Sequence, residues 1–280
     1  MLSRRDFVFG AGAFSVASTA GGTRSVASAA MPLVRFGVVT DIHHADKATS
    51  GAVNYRGALA KLRAAVAALE NRGVDFIIEL GDFKDNSGSV SATLAKLDEI
   101  EAAFTAFSGA HYHVMGNHDT DVLTKDEFFA HVSNTGFAAV SGYYSVVRGG
   151  VTFVVLDANF NGDSDDAHYS RGNWSATKSY IPPAEMAWLK ATLDAAPGPA
   201  VVFCHQRLDA AGGHPVGNAA AVREIIENSR KVIGVFAGHE HEGGRSNENG
   251  VSYYTMRALV ESGRCFEVGC YPYGVSVFGM

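Results

Sequence analysis

Cysteine is scarce in this chain, which has three among its 280 residues. No two of them form a Cys-x-x-Cys pair, so a zinc site built from thiolates is not expected. Cys204 ends an apolar run and is expected to be a small buried residue. Cys265 and Cys270 are close enough in sequence to form a disulfide bond, which the export inferred below would permit.

Basic residues are outnumbered by acidic ones, and this limits the partners. Lys and Arg total 23 against 29 Asp and Glu, and residues 30–280 keep 20 and 28 of these, a net charge of −8. No basic patch remains that would favour binding along a nucleic-acid duplex. An anionic partner would need bound cations to attract it.

A long uninterrupted apolar run is also missing, so a stable membrane span is not expected. The most apolar candidate lies in residues 1–29, where Arg4-Arg5 precedes a Gly/Ala/Ser-rich stretch and Ala-Ser-Ala stands at 27–29. A spanning helix needs about 20 apolar residues, and Gly, Ser and Thr interrupt this stretch. The pattern instead predicts an export signal read by the twin-arginine machinery, and hence a periplasmic or secreted protein. Residues 30–280 contain no internal repeat or Pro/Ser linker and are expected to form a single domain.

The rest of the chain alternates between two periodicities, which predicts an α/β protein. Short continuous apolar runs are typical of strands buried on both faces, and spacings of three and four residues are typical of amphipathic helices. We expect strands at 33–40, 75–80, 111–115, 143–147, 151–157, 200–204, 232–237, 251–256 and 273–278, and helices over 55–69, 94–107, 124–129, 184–194 and 219–229. This order favours a layered α/β sandwich with a mixed sheet.

Five of the predicted strands end in residues that can bind a metal ion. Binding crevices of open α/β sheets lie outside the carboxyl ends of their strands, so these residues are expected at one edge of one sheet. Each piece alone has an ordinary structural explanation, such as an Asp that forms a turn. Together they concentrate charge for which divalent cations are the natural partner. The five segments are Asp41-Ile42-His43, Gly81-Asp82, Gly116-Asn117-His118-Asp119, His205 and Gly238-His239-Glu240-His241.

The His239-Glu240-His241 segment has two interpretations when taken alone. Side chains at i and i+2 of an extended chain point the same way, so both histidines could reach one site, or both could lie on a solvated turn. The other four strand ends favour the metal site, with His239 and His241 serving different metals. Glu240 is expected to point away from it.

The donor set indicates two metal ions rather than one. Seven protein ligands are too many for a single tetrahedral site, but they fill two sites if one carboxylate bridges. Nitrogen and oxygen donors without thiolate suit Mn, Fe or Zn in divalent or trivalent form. Two metals about 3.5–4 Å apart activate a water and clamp a phosphoryl oxygen during in-line displacement. The seven are Asp41, His43, Asp82, Asn117, His205, His239 and His241.

The five segments in this order resemble the calcineurin-like metallophosphoesterase superfamily. The resemblance covers roughly residues 33–242 and implies a four-layer α/β/β/α sandwich with mixed sheets and a dinuclear centre. It implies that Asp41, His43 and His241 hold one metal, that Asn117, His205 and His239 hold the other, and that Asp82 bridges. It also implies that His118 is the catalytic histidine and that Asp119 orients it. Within the superfamily, FGVVTDIHHAD and LGDFKDN are similar to the manganese-dependent ADP-ribose/CDP-alcohol diphosphatase-like group.

Residues that contact the substrate carry weaker signals. His44 and Asp85 adjoin the ligands, and Arg207 follows His205 closely enough to meet a phosphate through a charged fork. The polar segment 159–174 contains aromatic residues and could form one wall of the pocket. Each of these could equally be an ordinary solvated loop residue.

The function expected from these residues is hydrolysis of phosphomonoesters, phosphodiesters or phosphoanhydrides. A hydroxide bridging two metals would attack phosphorus of a small phosphorylated substrate, and His118 would assist the leaving group. A non-catalytic metal-binding scaffold on the same fold is the main alternative. A metal-dependent hydrolase of amides or lactones is a further one.

Overall fold

The apolar runs of the sequence form two β-sheets that face each other. The computed structural model describes residues 31–138, 141–209 and 213–280, and the statements below concern this part of the chain. The predicted export signal at 1–29 lies outside it. The strands are β1 (Val34–Val39), β2 (Phe76–Glu79), β3 (Ala110–His113), β4 (Tyr144–Arg148), β5 (Val151–Val155), β6 (Ala200–Phe203), β7 (Val232–Ala237), β8 (Gly244–Glu248), β9 (Val251–Thr255), β10 (Phe266–Tyr271) and β11 (Gly274–Gly279).

Both sheets are mixed. The first has the order β11-β10-β1-β2-β3, in which β1, β2 and β3 run parallel while β10 and β11 are antiparallel to their neighbours. The second has the order β4-β5-β6-β7-β9-β8, with four parallel central strands and an antiparallel strand at each edge. In each sheet the parallel strands therefore deliver their carboxyl ends to the same side.

An aromatic core holds the two sheets together. Phe36 of the first sheet stacks on Phe76 at 5.1 Å and meets Phe153, Phe203 and Phe236 of the second sheet edge-on at 5.5–5.9 Å. Phe36 is fully buried, and burying such a side chain stabilises a fold by roughly 1.5–3 kcal/mol.

Helices cover the outer face of each sheet. On the first sheet, Leu62, Leu69 and Phe104 of two long helices pack in one core with Ile77. On the second sheet, Leu189 and Ile226 are among the helix residues packed with Val154 and Val202. The four layers confirm the predicted α/β/β/α sandwich. The helices are α1 (Ala58–Arg72), α2 (Val90–Phe104), α3 (Lys125–Phe129), α4 (Pro183–Ala195), α5 (Ala219–Ser229) and α6 (Leu259–Ser262).

Local signals were reliable where the pattern was strong. The strands expected at 143–147 and 151–157 form the β4–β5 hairpin. The short helix expected at 124–129 is α3, which begins with a capping box formed by Thr124 and Glu127. The sequence did not predict β8 and β10. The polar strand β8 is an edge strand that forms by pairing with β9, and β10 forms between β1 and β11.

The disulfide considered for Cys265 and Cys270 is not present, since both thiols are free and buried. Cys265 packs among the helices on the outer face of the first sheet, whereas Cys270 lies in the core between the sheets. An odd separation along a strand places two side chains on opposite faces, so the sheet itself separates the two thiols.

Among the described residues, no helix combines the length and apolar character needed to cross a bilayer.

A buried ion triad supports the loop after β2. The Nδ1 atom of His113 lies 2.9 Å from Glu79, and its Nε2 atom lies 3.0 Å from Glu101. The second oxygen of Glu79 accepts a hydrogen bond from the Gly81 amide at 2.7 Å, which ties the triad to the Gly81-Asp82 turn. Burial opposes the positive charge of His113, but the charges and hydrogen bonds of Glu101 and Glu79 outweigh it and raise its pKa to about 10.

We expect this triad to make the free energy of unfolding fall as the pH becomes alkaline. The pKa of His113 is raised above the unfolded value near 6.5, so its contribution is complete below pH 6.5 and is lost as pH rises towards 10. His113→Gln should destabilise the fold by roughly 3–5 kcal/mol at pH 7, because it leaves two buried carboxylates without a cation. Urea unfolding at several pH values measures both effects, with His111→Gln on the same strand as the matched control. If the free energy of unfolding of His113→Gln fell between pH 6.5 and 10 as steeply as that of the parent protein, this assignment would be contradicted.

Candidate metal centre

The carboxyl ends of strands from both sheets meet in one place. Asp41 follows β1, Asp82 follows β2 and Asn117 follows β3, whereas His205 follows β6 and His239 follows β7. The expectation of one edge of one sheet is therefore wrong. The residues come from two sheets, and the aromatic core between the sheets sets their separation.

A first group contains Asp41, His43 and His241. The Nε2 atoms of the two histidines lie 3.2 Å apart. The Asp41 Oδ1 atom lies 3.5 Å from His241 Nε2 and 4.0 Å from His43 Nε2. One ligand atom from each of the three residues falls within a sphere that a metal ion could occupy.

A second group contains Asp82, Asn117, His205 and His239. The Nε2 atom of His205 lies 3.2 Å from Asp82 Oδ2 and 3.1 Å from Asn117 Oδ1. The rings of His205 and His239 meet edge-on at 5.1 Å. Ligand atoms of Asp82, His205 and His239 converge as those of the first group do.

Asp82 belongs to both groups. The same Oδ2 atom that faces His205 lies 3.5 Å from His43 Nε2 of the first group. A single carboxylate oxygen therefore lies near a histidine of each group.

The outward-facing nitrogens of three imidazoles contact other groups. His241 Nδ1 lies 2.8 Å from Glu261, His205 Nδ1 lies 2.8 Å from the Leu80 carbonyl, and His43 Nδ1 lies 3.5 Å from Asp85. The hydrogen bonds of His241 and His205 fix these two rings so that Nε2 faces inward, whereas His43 Nδ1 is at ion-pair distance only. Two lone pairs 3.2 Å apart, as at His43 and His241, repel unless a proton or a cation lies between them. The donor set therefore fits metal ions.

Without a bound cation, burial and the charges of the side chains set the pKa values of the site. Burial alone would raise the pKa of Asp82, but the charges of His205 and His118 outweigh burial and hold that pKa well below its usual range. The charge of Asp82 in turn overcomes burial and raises the pKa of His205 to about 10. Burial and the neighbouring His205 lower the pKa of His239 to about 4, so His239 is neutral at pH 7.

The backbone is strained at the candidate ligands. Six described residues other than glycine have positive φ, and four of them are Asp41 (51°), His43 (47°), Asp82 (54°) and His239 (66°). This region costs an L residue of order 1–3 kcal/mol. Such strain clusters at functional sites, where the surrounding structure holds it in place.

Two glycines allow the close approach of these turns. A Cβ atom at Gly116 would lie 2.1 Å from the Asp82 amide nitrogen, and one at Gly238 would lie 2.1 Å from the Thr40 hydroxyl. No side chain fits at Gly116 without a shift of the Asp82 backbone or carboxylate, and none fits at Gly238 without a shift of the Thr40 and Asp41 side chains. The absence of a side chain at Gly116 and Gly238 therefore lets these turns pack closely against their neighbours.

Asp119 holds two loops together instead of orienting His118. Its carboxylate is fully buried and accepts hydrogen bonds from the amides of Asp82, Phe83, Lys84 and Gly116 at 2.8–3.2 Å. The turn that carries Asp82 and the turn that carries Asn117 therefore share one carboxylate. The prediction that Asp119 orients His118 is not supported by these contacts.

Two other carboxylates lie beside the ring of His118, at ion-pair rather than hydrogen-bond distance. Its Nδ1 atom lies 3.5 Å from Asp85 Oδ2 and 4.0 Å from Asp121 Oδ2. Asp121 also pairs with the fully buried Lys84, whose ammonium donates to the His118 carbonyl as well. Burial and the charge of His43 lower the pKa of His118 despite the opposing charge of Asp82.

Asp85 lies behind two histidines rather than in the cleft. It contacts the Nδ1 atoms of both His43 and His118 and pairs with Lys47 at 2.6 Å. Burial opposes its ionisation, but the hydrogen bond to His43 and the charge of His118 lower its pKa. The structure therefore gives Asp85 a different place from the substrate contact that the sequence suggested.

His44 and Arg207, which the sequence suggested as substrate contacts, are paired with other residues of the protein. His44 Nε2 lies 3.1 Å from Glu99 and its Nδ1 atom faces the Tyr55 carbonyl at 3.3 Å. The guanidinium fork of Arg207 contacts both oxygens of Asp209 at 2.8–2.9 Å, so a carboxylate takes the place expected for a phosphate.

Glu240 has a structural role that the sequence did not predict. Its carboxylate accepts a hydrogen bond from the His214 amide at 2.8 Å. This contact holds the segment after residue 212 against the turn that carries His239 and His241.

Several residues of the site escaped sequence reasoning. Glu261 follows His241 by 20 positions and gives no local signal, and Asp121 and Lys84 read as ordinary loop charges. Trp174 lies 4.8 Å from His118, ring to ring. It belongs to the 159–174 segment, which had been expected to border the pocket.

Comparison with known proteins agrees with this geometry. The family model described as calcineurin-like phosphoesterase matches residues 34–243. The chain is 22% identical to a manganese-dependent ADP-ribose/CDP-alcohol diphosphatase of Danio rerio, over 82% of this chain and 89% of that protein. It is 25% identical to a protein of the same name from Oryza sativa subsp. japonica, over 90% of this chain and 89% of that one.

Solved structures show the same fold. A dimetal phosphatase from Danio rerio superimposes with a TM-score of 0.72 at 20% identity, covering 89% of this chain and 96% of its own. The chain belongs to the calcineurin-like phosphoesterase family and is a metal-dependent phosphoester hydrolase.

Proposed function

We propose that this enzyme hydrolyses phosphoester or phosphoanhydride bonds of small substrates at a centre of two metal ions. The observation that carries the proposal is the convergence of buried nitrogen and oxygen donors with His43 and His241 Nε2 atoms 3.2 Å apart. Asp41, His43 and His241 would hold one ion, Asn117, His205 and His239 the other, and Asp82 both.

The bound ions would supply positive charge that acidifies water for attack on phosphorus. The protein excludes bulk water from the donors, since Asp41, Asp82, Asn117 and His205 are buried. It also fixes the directions of His241 and His205 through Glu261 and the Leu80 carbonyl. These features keep the ligand atoms in place before a substrate binds.

His118 is the proposed proton donor to the leaving oxygen. Its Nδ1 atom faces Asp85 and Asp121, so Nε2 is the nitrogen available to a substrate, and the side chain is 27% exposed. The neighbouring Asp82 and Asp85 favour the protonated form while burial opposes it. The net effect lowers the pKa of His118, and a histidine held at the leaving oxygen can act as a general acid.

The relatives favour a diphosphate substrate and manganese. Two proteins matched over at least 82% of this chain are named manganese-dependent ADP-ribose/CDP-alcohol diphosphatases. We therefore propose nucleoside diphosphate derivatives as the first substrates to test and Mn²⁺ as the first metal, with Fe and Zn as alternatives. A scaffold without activity is the second candidate, but the chain retains the full donor set and His118.

We expect variants of the site to separate metal binding from catalysis. Asp82→Asn should lower the metal content below two ions per chain, because it removes the carboxylate shared by both groups. His118→Gln should keep both ions and lower kcat by about 10²–10⁴-fold, because it removes a general acid. Elemental analysis and turnover of ADP-ribose with Mn²⁺ measure the two effects.

His131→Gln is the matched control, since His131 pairs with Asp98 away from the centre. It should keep both metal content and turnover. Full activity of His118→Gln would remove its proposed role. Absence of metal-dependent turnover of phosphomonoesters, phosphodiesters and diphosphates by the unmodified protein would favour the scaffold.

We also propose that the protein is exported through the twin-arginine route, on the evidence of Arg4-Arg5 and the Ala-Ser-Ala segment at 27–29. Residues 1–29 fused to a reporter should deliver it to the bacterial periplasm, and replacement of both arginines by lysine should abolish delivery. Cell fractionation measures the outcome. Delivery that persists in the Lys-Lys variant, or in cells without the twin-arginine machinery, would contradict this route.

A further inference from the structure

Trp174 is a large aromatic residue placed at the proposed catalytic histidine. Its ring centroid lies 4.8 Å from that of His118, with the planes tilted by 54°. His118 also meets His43 of the first ligand group at 4.9 Å. Only the His118 ring therefore separates the indole from His43, a candidate metal ligand.

The loop around Trp174 is held by its own hydrogen bonds and by α3. The Asn161 side chain donates to the Asn173 carbonyl at 2.6 Å, and the Asn173 amide donates to the Ser170 carbonyl at 3.0 Å. Arg171 pairs with both oxygens of Glu127, the capping residue of α3. These contacts fix the chain immediately before Trp174, so the indole has a defined position next to His118.

Core packing does not account for this residue. Trp174 is half-buried, and its neighbours at 171–173 and 176–178 are exposed. The other tryptophan, Trp188, packs at the edge of the outer helical core and against Tyr143 at 4.9 Å. A half-exposed indole beside a reactive group is typical of ligand contact.

We propose that Trp174 binds a ring of the substrate, namely the sugar or base of a nucleotide, by stacking beside His118. This inference rests on the proposed function, since it places the scissile phosphate at the centre and the ring-bearing group on the His118 side. Trp174 would then select ring-bearing diphosphates over short linear ones. Stacking of one base on an aromatic side chain strengthens binding by about tenfold or more.

The test compares two diphosphates that share the scissile bond type. ADP-ribose carries rings on both sides, and P1,P2-dimethyl diphosphate carries none. The ratio of their kcat/KM values should fall by about tenfold or more in Trp174→Ala, mainly through KM for ADP-ribose. Trp174→Phe should keep the ratio within about threefold of the parent value, because phenylalanine retains an aromatic face.

Trp188→Phe is the matched control and should leave the ratio unchanged. If Trp174→Ala lowers both kcat/KM values in parallel, Trp174 acts only through the loop or His118 and the proposal is wrong. An unchanged ratio with unchanged activity would also overturn it.

A binding measurement separates this inference from the proposed function. The chain has two tryptophans, so Trp174 is the sole indole in Trp188→Phe. AMP added to the manganese-loaded variant should quench its fluorescence, and methyl phosphate should not. Equal responses to the two ligands would overturn the stacking proposal even if diphosphates are hydrolysed. Failure of the parent protein to cleave either diphosphate would instead count against the proposed function.

Discussion

The carboxylate of Asp82 lies almost without solvent between imidazoles from two different sheets. Its side chain is 3% exposed, and its Oδ2 atom is 3.2 Å from His205 and 3.5 Å from His43. A buried anion is costly unless charges and hydrogen bonds compensate it. The His118 amide donates to its other oxygen at 2.8 Å. The surrounding groups of the centre compensate this buried charge. Gly116 leaves room for the carboxylate, because a Cβ atom there would collide with Asp82.

The fold places Asp82 by means of contacts that are themselves far from the ligand atoms. The Phe36 cluster fixes how closely the two sheets face each other, and so how far β1 and β2 lie from β6 and β7. Asp119 joins the turns after β2 and β3 by taking four amides on one carboxylate. Glu79 accepts a hydrogen bond from the Gly81 amide, and His113 compensates the charge of Glu79. Left-handed backbone at four candidate ligands is stable only because these surrounding contacts oppose its relaxation.

The environment of His118 shows how position decides chemistry among similar residues. Asp85, Asp119 and Asp121 are all acidic loop residues near it in sequence or space. Two of them face its Nδ1 atom, whereas Asp119 is satisfied by backbone amides. The difference arises from the path of two short turns, which places Asp119 beneath the amides of both turns and Asp85 and Asp121 beside the His118 ring. The family resemblance therefore assigned the orienting role to Asp119, whose carboxylate is instead taken up by backbone amides.

Much of the architecture was readable from the chain alone. Apolar runs are long enough to predict the parallel strands, since buried central strands tolerate few polar residues, and the hairpin and capping box carry strong local signals. The strands β8 and β10 were missed because they depend on pairing with partners rather than on their own composition. The free state of Cys265 and Cys270 likewise depends on which face of a sheet each thiol occupies.

The amino-acid sequence by itself determined the donor types and their position at the ends of strands, because ligand identity and strand periodicity are local properties. Only the tertiary structure decided that the donors come from two facing sheets, that Asp85 and Asp121 serve His118, and that Glu261 serves His241. It also decided that Arg207 is paired with Asp209 and that Trp174 lies beside His118. These relations join residues that are distant in sequence or separated by tight turns, and their distances are set by packing between layers.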